Sequence, residues 1–180
     1  MEEQVILVDH EDVPRGQMDK MEAHKKGLLH RAFSVFIFNS KRELLLQQRA
    51  LNKYHSGGLW TNTCCSHPRV NESNIQAAKR RLKEEMGMDC DITYLFKFTY
   101  RAEFADGLTE HEVDHVFFGW SDALPVINQD EVETYKYMDL EALADDIRVN
   151  PSVYTPWLRI CLGKVIEHAS TVKTKNGHTT

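Results

Sequence analysis

Five side chains have the right types for a metal site: His24, His30, His67, Glu110 and Glu112. Imidazole nitrogens with carboxylate oxygens suit a borderline divalent ion such as Zn²⁺ or Mn²⁺. Glu110 and Glu112 are two apart in a strand-like run, so they share one face. Two carboxylates so placed repel unless a cation or a proton lies between them. His24 and His30 are six apart, which is neither the i,i+3 nor the i,i+4 spacing of a helical metal face, and Gly27 sits between them. They would have to converge through a loop. Spacing alone favours the plainer reading, in which scattered His and Glu are solvated surface residues.

Three further groups carry chemistry. In Cys64-Cys65-Ser66-His67-Pro68 a thiol beside a metal or a cation can act as nucleophile or proton carrier; the alternative is a small buried hydrophobe ending a strand. The run Arg80-Arg81-Leu82-Lys83-Glu84-Glu85-Met86-Gly87 admits an ion-paired helix face, with Arg81 and Glu85 at i,i+4. It equally admits Glu85 on a metal ion and Arg81 on an anion. Lys20, Arg49 and Lys53, with Arg81, form a basic set that is either a solvated face or a polyanion site.

These groups need elements to hold them. The apolar run 5–8 reads as the start of the core, residues 12–16 as a turn, and 18–26 as a short helix ended by Gly27. Residues 32–38 and 43–48 read as a hairpin around a 39–42 turn, and 59–65 as extended chain. Residues 74–86 give the clearest helix: Ser73 and Gln76 form a capping box, Ile75, Ala78, Leu82 and Met86 fall at helical spacing, and Gly87 suits the C-cap. Strands follow at 92–104, 112–120 and 131–138, and helices at 140–147 and 154–168. Few helices around many strands in mixed order predict an α/β or α+β sandwich.

Composition bounds the functions. The chain has 180 residues, enough for one domain with a full core, and residues 171–180 read as a polar tail. A net charge of −5 provides no global basic field for nucleic acid. No apolar run is long enough to span a membrane, and the acidic start lacks a secretory segment, so the expectation is a cytoplasmic protein. The four cysteines do not form a disulfide pattern. Three histidines belong to the candidate metal set; His10, His55, His111, His115, His168 and His178 are given no function.

Counting makes the reading specific. The Nudix box is G-x5-E-x7-R-E-U-x-E-E-x-G-U, with U a bulky aliphatic residue. Glu72, Arg80, Leu82, Glu84, Glu85, Gly87 and Met88 stand in register over 23 positions; Ser66 replaces the first Gly and Arg81 replaces the Glu after Arg80. An Arg in that slot removes a carboxylate that a Nudix hydrolase uses for metal binding. Outside the box, Ala23-His24, Leu29-His30, Trp60-Thr61-Asn62-Thr63-Cys64-Cys65-Ser66-His67-Pro68, Tyr100-Arg101-Ala102, Glu110-His111-Glu112-Val113 and Thr155-Pro156-Trp157 are similar to type I isopentenyl-diphosphate Δ-isomerases, in particular their short bacterial members. The resemblance runs from about Val5 to about residue 160. His24 and His30 are one residue closer together than in the best-known bacterial pattern.

The resemblance implies a Nudix-like α/β/α sandwich with a mixed central sheet, a single domain over 1–180, with residues 1–30 contributing metal ligands. It implies interconversion of isopentenyl and dimethylallyl diphosphate through a tertiary carbocation. Cys65 and Glu112 match the catalytic acid/base pair, and Tyr100 a tyrosine beside the catalytic Glu. His24, His30, His67, Glu110 and Glu112 match a tight site for Mn²⁺ or Zn²⁺. Glu85 matches the position that meets Mg²⁺ on the diphosphate. Lys20, Arg49, Lys53 and Arg81 match diphosphate-binding positions, and Trp157 an aromatic facing the hydrocarbon. The implied partner is a small allylic or homoallylic diphosphate, with no nucleic acid or membrane partner, on a monomer or weak homodimer. Two readings compete: a Nudix diphosphohydrolase, which would release phosphate and need no Cys65, and a metal-stabilised binding domain without proton exchange.

Overall fold

The computed structural model describes residues 3–175. Its strands are β1 (Gln4–Val8), β2 (Pro14–Asp19), β3 (His30–Phe38), β4 (Leu44–Arg49), β5 (Trp60–Thr61), β6 (Cys64–Ser66), β7 (Ile92–Glu103), β8 (Thr109–Trp120) and β9 (Val132–Met138). The helices are α1 (Lys20–Lys26), α2 (Asn74–Met86), α3 (Leu140–Val149) and α4 (Pro156–Lys175). All nine strands belong to one mixed sheet. No helix among the described residues is long and apolar enough to cross a membrane.

Strand β3 is the hub. It runs parallel to β8 over nine residue pairs, from His30↔Glu112 to Phe38↔Trp120. Its other edge takes β6 antiparallel, with Ser34 opposite Cys65 and Val35 opposite Cys64. The expected hairpin of β3 and β4 exists at its turn, where Phe38 pairs with Leu44, but the strands then part. β4 pairs instead with β9 from Leu44↔Met138 to Arg49↔Val132, and β6 fills the gap beside β3.

The alternation of β3 splits the core into two layers. Phe33, Val35 and Ile37 pack with Leu82 and Met86 of α2. Phe36 and Phe38 face the other way, onto Leu143 of α3 and Leu158, Leu162 and Val165 of α4. The result is the expected α/β/α sandwich. Because β6 follows the register of β3, Cys64 joins the α2 layer while Cys65 turns to the opposite face, where Ser34 lies.

Helix α2 forms as its sequence predicts. The Ser73 and Gln76 capping box is complete, and Gly87 ends the helix at φ 61°. Ile75 differs from the expectation: it is 43% exposed, because it stands in the first turn, beyond the stripe of Ala78, Leu82 and Met86. Three other expectations change. Residues 14–19 form β2, an exposed edge strand paired with β1 rather than a turn alone. Helix α1 starts two residues later than expected, where the Asp19 side chain accepts from the Glu22 N–H. Helix α4 continues to Lys175, through the first half of the expected 171–180 tail; residues 176–180 lie outside the described residues.

Gly87 also sets the end of α2 against the loop before β9. A Cβ there would lie 2.5 Å from the Val126 carbonyl oxygen, and its φ lies in the left-handed region. Val126 N–H donates to Met86 O and Asn128 N–H to Glu85 O, at 2.8 and 2.9 Å. Gly87→Ala is expected to lower stability by about 2–3 kcal/mol, through strain plus displacement of this loop. Ser73→Ala, which removes only the cap, costs about 1 kcal/mol. Urea unfolding midpoints of the two variants check the ranking.

Candidate active site

Strand β8 carries Glu110, Glu112 and Asp114 on one face by simple alternation, and burial leaves each at most 5% exposed. Helix α1 and its Gly27 cap deliver His24 and, after a three-residue link, His30 at the start of β3. The one-residue-shorter spacing is accommodated by this turn: the two rings lie 4.9 Å apart. His67 follows β6. Ligand atoms of His24, His30, His67, Glu110 and Glu112 all lie within 4.8 Å of one another. The five residues that spacing alone could not assemble are thus brought together, and buried.

The cluster fits a metal ion. His24 Nδ1 donates to the Lys20 carbonyl at 2.6 Å and His30 Nδ1 to the Leu28 carbonyl at 2.9 Å, so each turns Nε2 inward. His24 Nε2 meets Glu110 Oε1 at 2.8 Å, and His67 Nε2 meets Glu112 Oε1 at 3.0 Å. His30 Nε2 and Glu110 Oε2 are buried without any hydrogen-bond partner. Two buried orphan atoms in one His/Glu cage are the mark of a site built for a further ligand.

Electrostatics follow from burial. It pushes His30 down to about 4 and His67 well below its ordinary value, so both rings are neutral, the state a metal ligand requires. Burial and then the neighbouring Glu110 charge push the Glu112 carboxyl well above the usual carboxylate range. Burial opposes charge on Glu110 too, but its polar neighbours Glu112, His24 and His55 hold it well below that range. The pair therefore keeps one proton, on Glu112. Tyr100, opposite Glu112 in the β7–β8 ladder, donates its hydroxyl to Glu112 Oε2 at 2.9 Å.

Cys65 opens into the same cavity, together with Glu112, Tyr100, Asp114 and Trp157. Burial pushes its thiol up to about 12, against the pull of Arg49, so Cys65 holds its proton at neutral pH. The loop bearing it is fixed from within. Asn62 Nδ2 donates to the Val35 and Cys64 carbonyls at 3.0 and 2.9 Å, and Thr63 Oγ1 donates to the Leu45 carbonyl at 2.6 Å. Thr61 and Thr155 hydroxyls meet at 2.8 Å, and Thr155 N–H donates to Trp60 O at 3.0 Å. These bonds place Trp157, at the start of α4, in the cavity wall.

The basic set also converges. Lys20, Arg49, Lys53 and Arg81 all line the cavity. The guanidinium of Arg49 lies 5.3 Å from the centre of the Trp157 ring. Glu85 is the exception. It is 4% exposed and sits behind the wall, where the Cys64 thiol donates to its Oε2 at 2.9 Å and Arg81 Nη2 pairs with its Oε1 at 3.0 Å. The i,i+4 ion pair, one of the two readings open for this run, therefore forms, though buried rather than on a solvent face, and Cys64 is more than packing.

Five cavity-lining residues escaped the sequence reading: Glu3, Tyr54, His55, Asp114 and Glu131. His55 is 6% exposed, pairs with Glu110 through Nε2, and stacks on Phe104 at 4.5 Å. Tyr54 lies beside it. Neither belongs to a recognisable spacing. Asp114 did carry a signal: it extends the period-two series of Glu110 and Glu112.

The NUDIX domain family matches this chain over residues 28–158. Isopentenyl-diphosphate Delta-isomerase 2 of Aromatoleum aromaticum is 56% identical over 166 residues, covering 92% of this chain and 88% of that protein. The Pectobacterium atrosepticum isopentenyl-diphosphate Delta-isomerase is 49% identical over 172 residues, covering 96% of each. A crystal structure of a Deinococcus radiodurans protein superposes with a TM-score of 0.76, at 18% identity, over 90% of this chain and 98% of that one. That of a MutT protein from Methanosarcina mazei gives 0.62 at 18% identity, over 78% and 94%. These two likenesses concern the fold alone.

The His/Glu cluster makes a pH-dependent prediction. Metal binding must displace the proton on Glu112, while His30 and His67 are already neutral, so apparent affinity rises with pH. Zn²⁺ or Mn²⁺ at a hundred times its dissociation constant is expected to stabilise the stripped protein by about 2.7 kcal/mol. Thermal melting across pH 6–8 reads both, and His67→Ala is expected to abolish the gain.

Proposed function

The chain belongs to the isopentenyl-diphosphate Δ-isomerase family of the Nudix superfamily and interconverts isopentenyl and dimethylallyl diphosphate in isoprenoid biosynthesis; on that premise we propose that Cys65 and Glu112 are its acid/base pair. Shifting the double bond adds a proton at one carbon and removes one from another. An unactivated alkene is a weak base and its protonation gives a tertiary carbocation. The site must therefore hold a proton source, a second base, a dry wall and electron density near the cation.

The observation that carries the proposal is that a thiol and a carboxyl line one buried cavity: burial keeps the Cys65 proton in place, and Glu112, relieved of its proton once an ion is bound, would be free to accept one. Cys65 Sγ and Glu112 act on opposite faces of the hydrocarbon, one giving and one taking. Tyr100 holds the Glu112 carboxyl through its hydroxyl and so fixes which oxygen faces the substrate. Trp157, 3% exposed, walls off water and offers a ring face to the cation. Lys20, Arg49, Lys53 and Arg81 bind the diphosphate, and this remote binding energy positions a small hydrocarbon that has no polar handle of its own.

His24, His30, His67, Glu110 and Glu112 would hold Mn²⁺ or Zn²⁺, and Glu85 would meet Mg²⁺ with the diphosphate. When bound, the first ion compensates the paired carboxylates and tunes Glu112, and the second neutralises phosphate charge. Glu85 would take this role by leaving Arg81, which then turns to phosphate. We further propose that residues 1–180 act as one domain, in the cytoplasm, as a monomer or weak homodimer. The segment 1–30 supplies two of the ligands to that domain.

Proton NMR of isopentenyl diphosphate with Mg²⁺ in D₂O tests the roles. The protein is expected to form deuterated dimethylallyl diphosphate with no release of phosphate. Cys65→Ala is expected to lose turnover by about 10³-fold or more while still binding the diphosphate. Near-normal turnover by this variant would overturn the role of Cys65. Tyr100→Phe, which keeps the ring and removes the hydroxyl, is expected to lower kcat by about 10–100-fold with little change in KM.

A further inference from the structure

Three of the four cations of the cavity are already paired with carboxylates. Lys20 Nζ pairs with Glu3 Oε2 at 2.9 Å. Lys53 Nζ pairs with Glu131 Oε2 at 2.5 Å, and Arg81 Nη2 meets the same oxygen at 3.4 Å. Arg81 also pairs with Glu84 at 2.9 Å and Glu85 at 3.0 Å. Glu3 and Glu131 both line the cavity, with side chains 33% and 27% exposed. Burial disfavours their charge, but Lys20 and Lys53 respectively hold each carboxyl below its ordinary range.

The backbone of Glu131 is fixed beside these cations. Its N–H donates to Asn128 O and its carbonyl accepts from Ala50 N–H, both at 3.0 Å. Asn128 in turn donates to the Glu85 carbonyl at 2.9 Å. The backbone of Glu3 is held likewise, its carbonyl accepting from Lys20 N–H at 2.8 Å. A diphosphate that takes Lys53, Arg81 and Lys20 deprives two carboxylates, borne on fixed backbone at the cavity wall, of their cations and brings its own oxygens close to them. Like charges in a half-buried wall repel strongly unless a cation accompanies the ligand.

From these ion pairs we infer that Glu131, assisted by Glu3, is a specificity-determining residue: it excludes bare diphosphate and admits diphosphate carrying a divalent cation. The inference rests on the proposed diphosphate role of the basic set. It assigns a function to two carboxylates that the reaction chemistry does not use. The device has a simple logic: four cations alone would trap any polyanion of the right size. Resident carboxylates lower that general affinity and restore it only for a ligand that brings its own positive charge.

The test is calorimetric titration of inorganic diphosphate into the protein as purified, with and without added Mg²⁺. Wild type is expected to bind at least about tenfold tighter with Mg²⁺, and Glu131→Gln to narrow that ratio below about threefold by tightening the Mg²⁺-free binding. Glu131→Asp keeps the charge and is expected to keep the wild-type ratio. Glu3→Gln, near the start of the chain, is expected to narrow it in the same sense, and carries the test if Glu131→Gln does not fold. A wild-type ratio in Glu131→Gln, or weaker binding in both conditions, would overturn the inference and leave the diphosphate site standing. Failure of wild type to bind diphosphate even with Mg²⁺ would instead overturn the diphosphate reading, and this inference with it.

Discussion

Two carboxylates side by side in a low-dielectric wall cannot both stay charged unaided, and the site is organised around that constraint. Glu110 and Glu112 share a face because a strand alternates, and they are buried because β8 lies beside the hub strand. Every neighbour then acts as compensation. His24 and His55 turn nitrogens to Glu110, His67 turns one to Glu112, and Tyr100 gives Glu112 a hydroxyl. The same burial that makes the cluster costly without a cation keeps the thiol of Cys65 protonated. One physical cause thus sets both halves of the proposed acid/base pair.

The sheet converts this local chemistry into a layered machine. Adjacent cysteines serve different compartments because β6 is in register with β3. Cys65 enters the cavity beside Ser34, and Cys64 goes to the α2 side, where its thiol supports Glu85. The Nudix box and the His/Glu cluster meet in one cavity, where Ser66, His67 and Arg81 of the box share the wall with Glu110 and Glu112, while Glu85 stays behind it. The Arg in place of a box carboxylate fits this division. It answers Glu84, Glu85 and Glu131 at once, while the candidate metal cage draws its side chains from outside the helix.

Much of this was legible from residue order, and the remainder was not for identifiable reasons. Helix α2 was readable because its cap, its apolar period and its Gly87 terminus agree. The face shared by Glu110 and Glu112 followed from alternation, but their union with three histidines did not. That union depends on the long-range pairing of His30 with Glu112, which leaves no local trace. The β3–β4 pattern even suggested a competing local pairing, which the structure keeps only at the turn. Strand β2 was hidden because an exposed edge strand with Pro14 and Gly16 looks like a turn. His55 was hidden because a lone His in a loop has no period to betray it. Family resemblance supplied the grouping that physics could not supply from spacing.

The roof of the cavity comes late in the chain. Trp157 is held in the wall it shares with Cys65 by bonds from Thr155 and Tyr154 back to Trp60 and Thr61, across more than ninety residues. The candidate metal-binding side chains span from His24 to Glu112. During synthesis from the N-terminus, the cage can therefore close only after β8 emerges, and the water-excluding wall only after the first turn of α4. Between those two moments the nascent protein holds its ligands and its thiol beneath an open face. The cavity becomes dry, and so fit to shelter a carbocation, only when the penultimate stretch of chain folds back onto the loop it left behind.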